Sequence, residues 1–480
     1  MSSTIEHVPS RDSAPAPEPS GRTRKGLRAL LVRLHFYAGV FVAPFLLTAA
    51  LTGLAYTVTP QLDQLVYGDR LSVARVGDES RPLAEQIAAA RAGYPDGALA
   101  SVVTPAEPDA TTRVVLAVPG LGEKQRTVFV DPYTARVQGD LTTRFGKTPL
   151  TTWLDDLHRN LLLGETGRLY SETAASWLWV LVAGGLVLWI GRNRRKGMRR
   201  ARSLFLPDRT ARGVRRTRSR HAATGIWLAL GLLFLSATGL TWSHYAGDRF
   251  GQLLTAVKGR APELDTVLPE PQQPPRTEGG EHAGHSQHGA TPAGLTGDPA
   301  DFDAALAVAR GAGLSGTVTV TPPRDASRAW VVAQTDNTWP VHYDQVAVDT
   351  SSGEVTSRTR WADYPAPAKL SKLGTQAHMG VLFGIANQVV LAAIAVGLIL
   401  ITGWGYRMWW LRRPSREDRA AHFGKAPARG AWRGLPTPVI LAGVPAVVVL
   451  GWALPVLGLT LAAFIVVDVS VGLLRGGRTT

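Results

Sequence analysis

His35-Phe-Tyr-Ala-Gly39-Val-Phe-Val-Ala-Pro-Phe-Leu-Leu-Thr-Ala-Ala-Leu-Thr52-Gly53 opens a long apolar run near the start of the chain. The same spacing returns as His221, Gly225, Thr238 and Gly239. A second set, His158, Gly164 and Trp189, returns as His378, Gly384 and Trp409. Each of the four histidines stands at or ahead of an apolar segment. The chain therefore reads as one unit written twice, with histidine at a fixed place in each copy.

Working outward from that stretch, nearly uncharged segments of about 20 residues alternate with polar ones, and such segments are long enough to cross a bilayer. They are Phe36–Val58, Ala174–Ile190, Ala222–Trp242 and Val381–Tyr406. A last apolar region, Pro436–Leu474, contains Pro445 and Pro455 and reads most simply as a hairpin. The predicted order is a disordered N-terminus over 1–27, a first span over 28–59, and a first outer domain over 60–170. A second span over 171–191, a basic loop over 192–220 and a third span over 221–244 follow. A second outer domain over 245–375, with a Pro/Gly/His linker at 269–299, leads to a fourth span over 376–411. A loop over 412–435 and the hairpin over 436–474 complete the chain. The apolar run after Arg33 is too long for a cleaved secretory signal and is read as a retained helix.

The net charge of +15 over 480 residues raises the question of nucleic acid, but its distribution points elsewhere. Arg192–Arg220 carries thirteen Lys/Arg against one acid, Asp208. Further basic residues precede the first span and follow the fourth. Lys/Arg in short flanking loops mark the cytoplasmic side, and four crossings from a cytoplasmic N-terminus put all three clusters there. Positive-inside topology accounts for the charge, so no nucleic-acid partner is expected. The expected place is the cytoplasmic (inner) membrane, multi-pass, with both polar domains outside. Tryptophans near the span ends read as an interfacial belt.

Each polar domain reads as α+β. Leu83–Ala92 and Phe302–Arg310 are Ala-rich helical stretches. Val128–Val137 and Val346–Val355 each read as strand, turn and strand, with Asp131 and Asp349 favouring the turns.

There is no cysteine, which excludes disulfides, iron–sulfur clusters and thiolate-bound or thioether-attached haem. Gly120-Leu-Gly122 lacks the strand and helix of a dinucleotide fingerprint. No visible flavin or nicotinamide domain is present, so electrons would have to come from quinol or a separate cytoplasmic reductase.

An ionisable residue in a span is a functional hypothesis by default, and paired neutral imidazoles are good axial ligands for haem iron. His35 with His221, and His158 with His378, are the expected ligand pairs for two haem b groups. His244 is the alternative in the outer pair; lying 23 residues beyond His221, it falls about 34 Å along a continuous helix. Gly39 and Gly53, with Gly225 and Gly239, fall on the histidine's helical face and give a macrocycle room. The bland alternative is helix packing by small residues. Glu281-His282-Ala-Gly-His285-Ser-Gln-His288 is a candidate copper or zinc site, set against a merely solvated linker.

The ordered set resembles the PepSY-associated transmembrane helix family. It comprises Arg33-Leu-His35 with Ala49-Leu-Thr-Gly53, Val130-Asp-Pro-Tyr-Thr134, Leu157 through Gly164 with Gly167-Arg168, and His221 through Trp242. His378-Met-Gly380, Leu382-Phe-Gly384 and Trp409-Trp410 complete it. The resemblance covers roughly 28–413. It implies a mainly α membrane protein, a duplicated helix–PepSY-like α+β outer domain–helix unit forming a four-helix core, plus the C-terminal hairpin. It also implies kinship with iron-regulated inner-membrane proteins and ferric-siderophore reductases carrying b-type haem. The expected function is therefore di-haem transmembrane electron transfer to an extracytoplasmic ferric siderophore or other metal complex. A PepSY-type peptide- or peptidase-binding regulator and a copper- or zinc-handling accessory protein stand as alternatives. In the first PepSY-like turn Ala135 replaces the usual glycine, which Gly353 keeps; the expectation is a tuned turn and an intact fold.

Overall fold

The computed structural model describes residues 19–194, 205–268, 298–411 and 436–476. In chain order, α1 (Pro19–Phe41), α2 (Ala43–Tyr56), α3 (Thr59–Leu71) and α4 (Leu83–Ala92) precede four strands. These are β1 (Ala98–Thr104), β2 (Thr112–Ala117), β3 (Gln125–Val130) and β4 (Val137–Thr143). Then come α5 (Pro149–Asn160), α6 (Gly164–Arg194), α7 (Gly213–Thr241), α8 (Tyr245–Ala256) and α9 (Pro299–Gly311). Strands β5 (Val318–Thr321), β6 (Trp330–Gln334), β7 (Gln345–Asp349) and β8 (Glu354–Thr359) follow. The last helices are α10 (Ala366–His378), α11 (Gly384–Trp410), α12 (Thr437–Ala453) and α13 (Pro455–Gly476).

Three of these helices, α6, α7 and α11, are long and apolar enough to cross a membrane. A fourth candidate is the pair α1–α2, bent by 56°. The bend corrects the expectation that His35, Gly39 and Gly53 share one helical face. The helix breaks at Val42, so the periodicity that aligns position 35 with position 53 does not carry through.

The chain divides into two compact units. The sheet-bearing unit comprises Phe45–Ala175 and Phe234–Ile399. Its single antiparallel sheet has the order β4-β3-β2-β1-β5-β6-β7-β8. Each polar segment supplies a four-strand meander. The two meet where β1 pairs with β5, Val102 opposite Val320. The sequence reading treats these segments as two small domains; hydrogen bonding at β1–β5 makes them one sheet. The joint is covered on one face by α4 and α9. Ile87 and Phe302 on those helices, and Val102, Val114, Val320 and Val332 on the strands, are all fully buried in one apolar core. Alternation of valines along each strand places that row on one face. Asp303 Oδ1 and Oδ2 accept from the backbone N–H of Leu83 and Ala84 at 2.7 and 2.9 Å, tying α9 to the start of α4.

The two β-turns are built alike. Asp131 Oδ1 accepts from Tyr133 N and Asp349 Oδ1 from Ser351 N, each at 2.9 Å. Ala135 takes φ +54° where Gly353 takes +71°, so alanine occupies in one turn the left-handed position that glycine fills in the other.

The helical unit comprises Met1–Pro44, Ser176–Leu233 and Leu400–Thr480. Its last two helices, α12 and α13, are short and apolar and turn sharply at Leu454. The Trp177 indole donates to Thr460 Oγ1 on α13 at 2.9 Å. Arg33 on α1 and Asp468 on α13 form an ion pair in which the Arg33 side chain is 6% exposed. Most side chains of α12 are exposed and apolar, a face that suits lipid.

Candidate functional site

In the helical unit, His35 on α1 and His221 on α7 face each other. Their ring centroids are 6.4 Å apart and their planes cross at 82°. Small residues make the room. A Cβ on Gly185 would lie 3.3 Å from His35 Cε1, and one on Gly405 4.0 Å from His221 Cε1. His221 Nδ1 is 2.9 Å from the Ile401 carbonyl. A carbonyl only accepts, so that nitrogen carries the proton and Nε2 is left with a lone pair. His35 Nδ1 is buried without a well-formed hydrogen bond, although the Leu181 carbonyl bears on the ring. Beside His35 is a cavity of about 210 Å³, lined among others by Leu31, Ala38, Trp179 and Gly184. The Trp179 indole nitrogen is also buried without a hydrogen-bond partner.

In the sheet-bearing unit, His158 lies on α5 and His378 is the last residue of α10. Thr52 Oγ1 stands 2.9 Å from His158 Nδ1, and Thr238 Oγ1 2.7 Å from His378 Nδ1. A Cβ on Gly53 would meet His158 Cε1 at 3.2 Å, and one on Gly239 would meet His378 Cε1 at 3.6 Å. Gly53 and Gly239 thus stand beside the histidines of this pair. Burial, followed by the proximity of His158, depresses the His378 imidazolium to about 4. Burial likewise lowers His158, with Asp155 opposing it. Both rings are neutral at pH 7, the form that binds metal.

Local structure explains how these rings are placed. Thr148 caps α5 by accepting from Thr151 N at 3.1 Å. Asp63 on α3 accepts from the hydroxyls of Thr148 and Thr151, both at 2.7 Å. Helix α5 is therefore clamped at the end opposite His158. After each histidine the chain turns into the next long helix through Gly164 or Gly384. These adopt φ +59° and +55°, a region glycine enters without the Cβ penalty, which accounts for their recurrence at one spacing.

His244 lies beyond the end of α7. Helix α7 ends at Thr241, so the expected continuous helix from His221 to His244 does not exist, and the exposed His244 ring packs against Tyr245 at 4.8 Å. His342 is a surface residue facing Asp336 at 3.4 Å. Cβ atoms on Gly39 and Gly225 would meet nothing within 4 Å. His282, His285 and His288 lie outside the described residues. Among the described residues, no group of three or more His, Asp or Glu side chains is placed to hold a metal ion.

Sequence reasoning missed Thr52, Thr238, Gly184, Gly185 and Gly405 as neighbours of the histidines. The repeated Thr-Gly was visible, but it was read for its glycine alone.

Helices long and apolar enough to cross a membrane, together with an antiparallel sheet, mark a membrane protein. Residues 32–412 match the model of the PepSY-associated TM region, and the chain belongs to that family. No curated protein matches the chain.

Proposed function

We propose that the protein is a di-haem b electron carrier of the cytoplasmic membrane that reduces an extracytoplasmic ferric siderophore or other metal complex. The observation that carries the reading is the facing pair His35 and His221. Two imidazoles on opposite sides of one metal, with metal–nitrogen bonds of about 2.0–2.1 Å, place their ring centroids on the order of 6 Å apart. The 6.4 Å separation suits that arrangement.

The donor set points the same way. Two imidazoles without a third protein ligand are too few for a closed zinc site, which takes four. They are the axial complement of a group that brings its own equatorial donors, which a porphyrin does. The cavity at His35 is below the ~300–1,000 Å³ of small-molecule sites, so the surrounding apolar side chains must part to admit a whole macrocycle.

When bound, a b-type haem supplies reversible one-electron chemistry. The chain's own residues hold and orient it. His221 presents Nε2 because Ile401 occupies Nδ1. Gly184 and Gly185 leave space at His35, and the apolar walls keep water from the site. His158 and His378 form the second pair, supported by their neutral state and by threonine partners on each ring.

The topology belongs to the same proposal. Duplication of a helix–sheet–helix unit, supported by the repeated histidine spacing and the matched turns, makes the repeats parallel and relates them by an axis along the membrane normal. Basic loops on the cytoplasmic side then put the sheet outside, with quinol or a cytoplasmic reductase as donor. The metal-complex acceptor rests on the family's kinship with iron-regulated membrane proteins.

The test is the dithionite-reduced minus oxidised spectrum of detergent-purified protein, with haem counted per chain. Two b-type haems per chain, reoxidised by a ferric siderophore, support the proposal. A protein made with ample haem supply that holds none defeats it.

A further inference from the structure

The hydroxyls beside His158 and His378 have their protons committed elsewhere. Thr52 Oγ1 donates to the Thr48 carbonyl, one turn back on α2, at 2.8 Å. Thr238 Oγ1 donates to the Phe234 carbonyl, one turn back on α7, also at 2.8 Å. A carbonyl has no proton to give, and a hydroxyl has only one. The contacts to His158 Nδ1 at 2.9 Å and His378 Nδ1 at 2.7 Å must therefore run the other way, with the ring N–H as donor.

We infer that Thr52 and Thr238 are positioning residues that lock His158 and His378 in the Nδ1–H tautomer, leaving Nε2 of each ring as the ligating atom. The helix backbone fixes the hydroxyl, the hydroxyl fixes the ring proton, and the ring proton decides which nitrogen is free. A partner on the non-ligating nitrogen also sets ring orientation and raises ligand basicity. His221 obeys the same logic with the Ile401 carbonyl as acceptor. The glycine after each threonine lies against the ring: a Cβ at Gly53 would crowd His158 Cε1 at 3.2 Å, and one at Gly239 would touch His378 Cε1 at 3.6 Å. This explains why the sequence repeats Thr-Gly and not glycine alone. The tautomer follows from hydrogen bonding; its use in binding iron rests on the function proposed above.

The experiment compares Thr52→Val, Thr238→Val and the matching serine variants of the full-length protein, labelled with 15N-histidine and placed in lipid. Two readouts are taken, the ring-nitrogen NMR signature of the haem-free protein and the midpoint potential of the haem-loaded one. Valine keeps the shape and removes the acceptor. Each valine variant should lose the Nδ1–H signature of its own histidine, and serine should keep it. In the loaded protein, losing the acceptor weakens donation from the ring and favours ferrous iron. The expected change is about tenfold in the ferrous-to-ferric ratio, which is about 59 mV for a one-electron couple. Valine variants with an unchanged tautomer and potential overturn the assignment. If the wild-type protein takes up no haem, the cofactor reading fails, and the tautomer readout still decides the role of the threonines.

Discussion

His35 and His221 face each other edge to face, with ring centroids 6.4 Å apart, although 186 positions separate them in the sequence. If the two rings hold one haem between them, as proposed, they must fail together. His35→Ala and His221→Ala should each remove the same one of two haems, and the double variant should remove no more. His158→Ala and His378→Ala should together define the other. Haem counted per chain, with spectra resolving the two centres, checks this; full haem in any of the four single variants rejects the ligand assignment.

The glycines beside the rings allow a second dissection that leaves every ligand in place. Gly185→Val sets a branched side chain against His35, where even a Cβ would stand 3.3 Å from the ring. Gly53→Val does the same at His158, at 3.2 Å. Where the Cβ alone already meets the ring, a three-carbon side chain must move that neighbour, at about 1–3 kcal/mol. Each variant should displace its own histidine and deplete its own haem while sparing the other. Loss of both haems from either variant would point to general misfolding.

The paired turns make a stability prediction independent of any cofactor. Ala135 sits at φ +54° and Gly353 at φ +71°, and an L-residue in that region costs about 1–2 kcal/mol. Gly353→Ala should destabilise the sheet by about 1 kcal/mol. Ala135→Gly, the reverse change at the matched position, should stabilise it by a similar amount, because the about 0.4–1 kcal/mol by which glycine frees the unfolded chain offsets the strain term equally in both directions. Thermal unfolding of the two variants side by side measures both; a gain from Gly353→Ala contradicts the matched-turn reading.

Much of this architecture was legible from residue patterns. The long apolar runs gave the spans, and helix α4 coincides with the Ala-rich stretch Leu83–Ala92. Asp131 and Asp349 located the turns. The β1–β5 pairing was not legible, because Val102 and Val320 are alternating valines whose register depends on a partner more than 200 positions away. The break at Val42 was missed because the apolar run continues across it unchanged. The end of α7 at Thr241 was not legible, because apolar composition continues to Trp242 while the helix itself stops one residue earlier. The threonine contacts were hidden for a simpler reason. The hydrogen bonds that tie His158 to Thr52 and His378 to Thr238 join different helices, and no local spacing announces them.

The depressed ring pKa values predict a direction with acid. The unfolded value for histidine is about 6.5, and His378 in the folded protein is held near 4; His158 is shifted the same way. Between those values the unfolded chain takes up a proton that the folded chain refuses, so stability is complete above pH 6.5 and falls as pH drops toward 4. Haem-free protein should lose thermal stability across that window. His378→Gln, which keeps a polar side chain without a titrating imidazole, should flatten the slope. A slope unchanged in His378→Gln removes this residue as its source.

The ion pair of Arg33 and Asp468 fastens the C-terminal helix α13 to α1, two positions from His35. With the Arg33 side chain 6% exposed and that of Asp468 29% exposed, the pair is only partly withdrawn from its surroundings. Asp468→Ala should therefore cost on the order of 1–3 kcal/mol, below the 3–5 kcal/mol of a fully buried pair. Replacing both partners by apolar residues is a different experiment, because no charge is then left in the apolar setting. Arg33→Met with Asp468→Leu should recover most of the loss. Thermal stability in detergent, read together with haem content, separates two roles for α13. If the double variant is stable and keeps its haem, the hairpin serves by packing. If it is stable and loses the haem held by His35 and His221, the charge pair itself sets the position of α1.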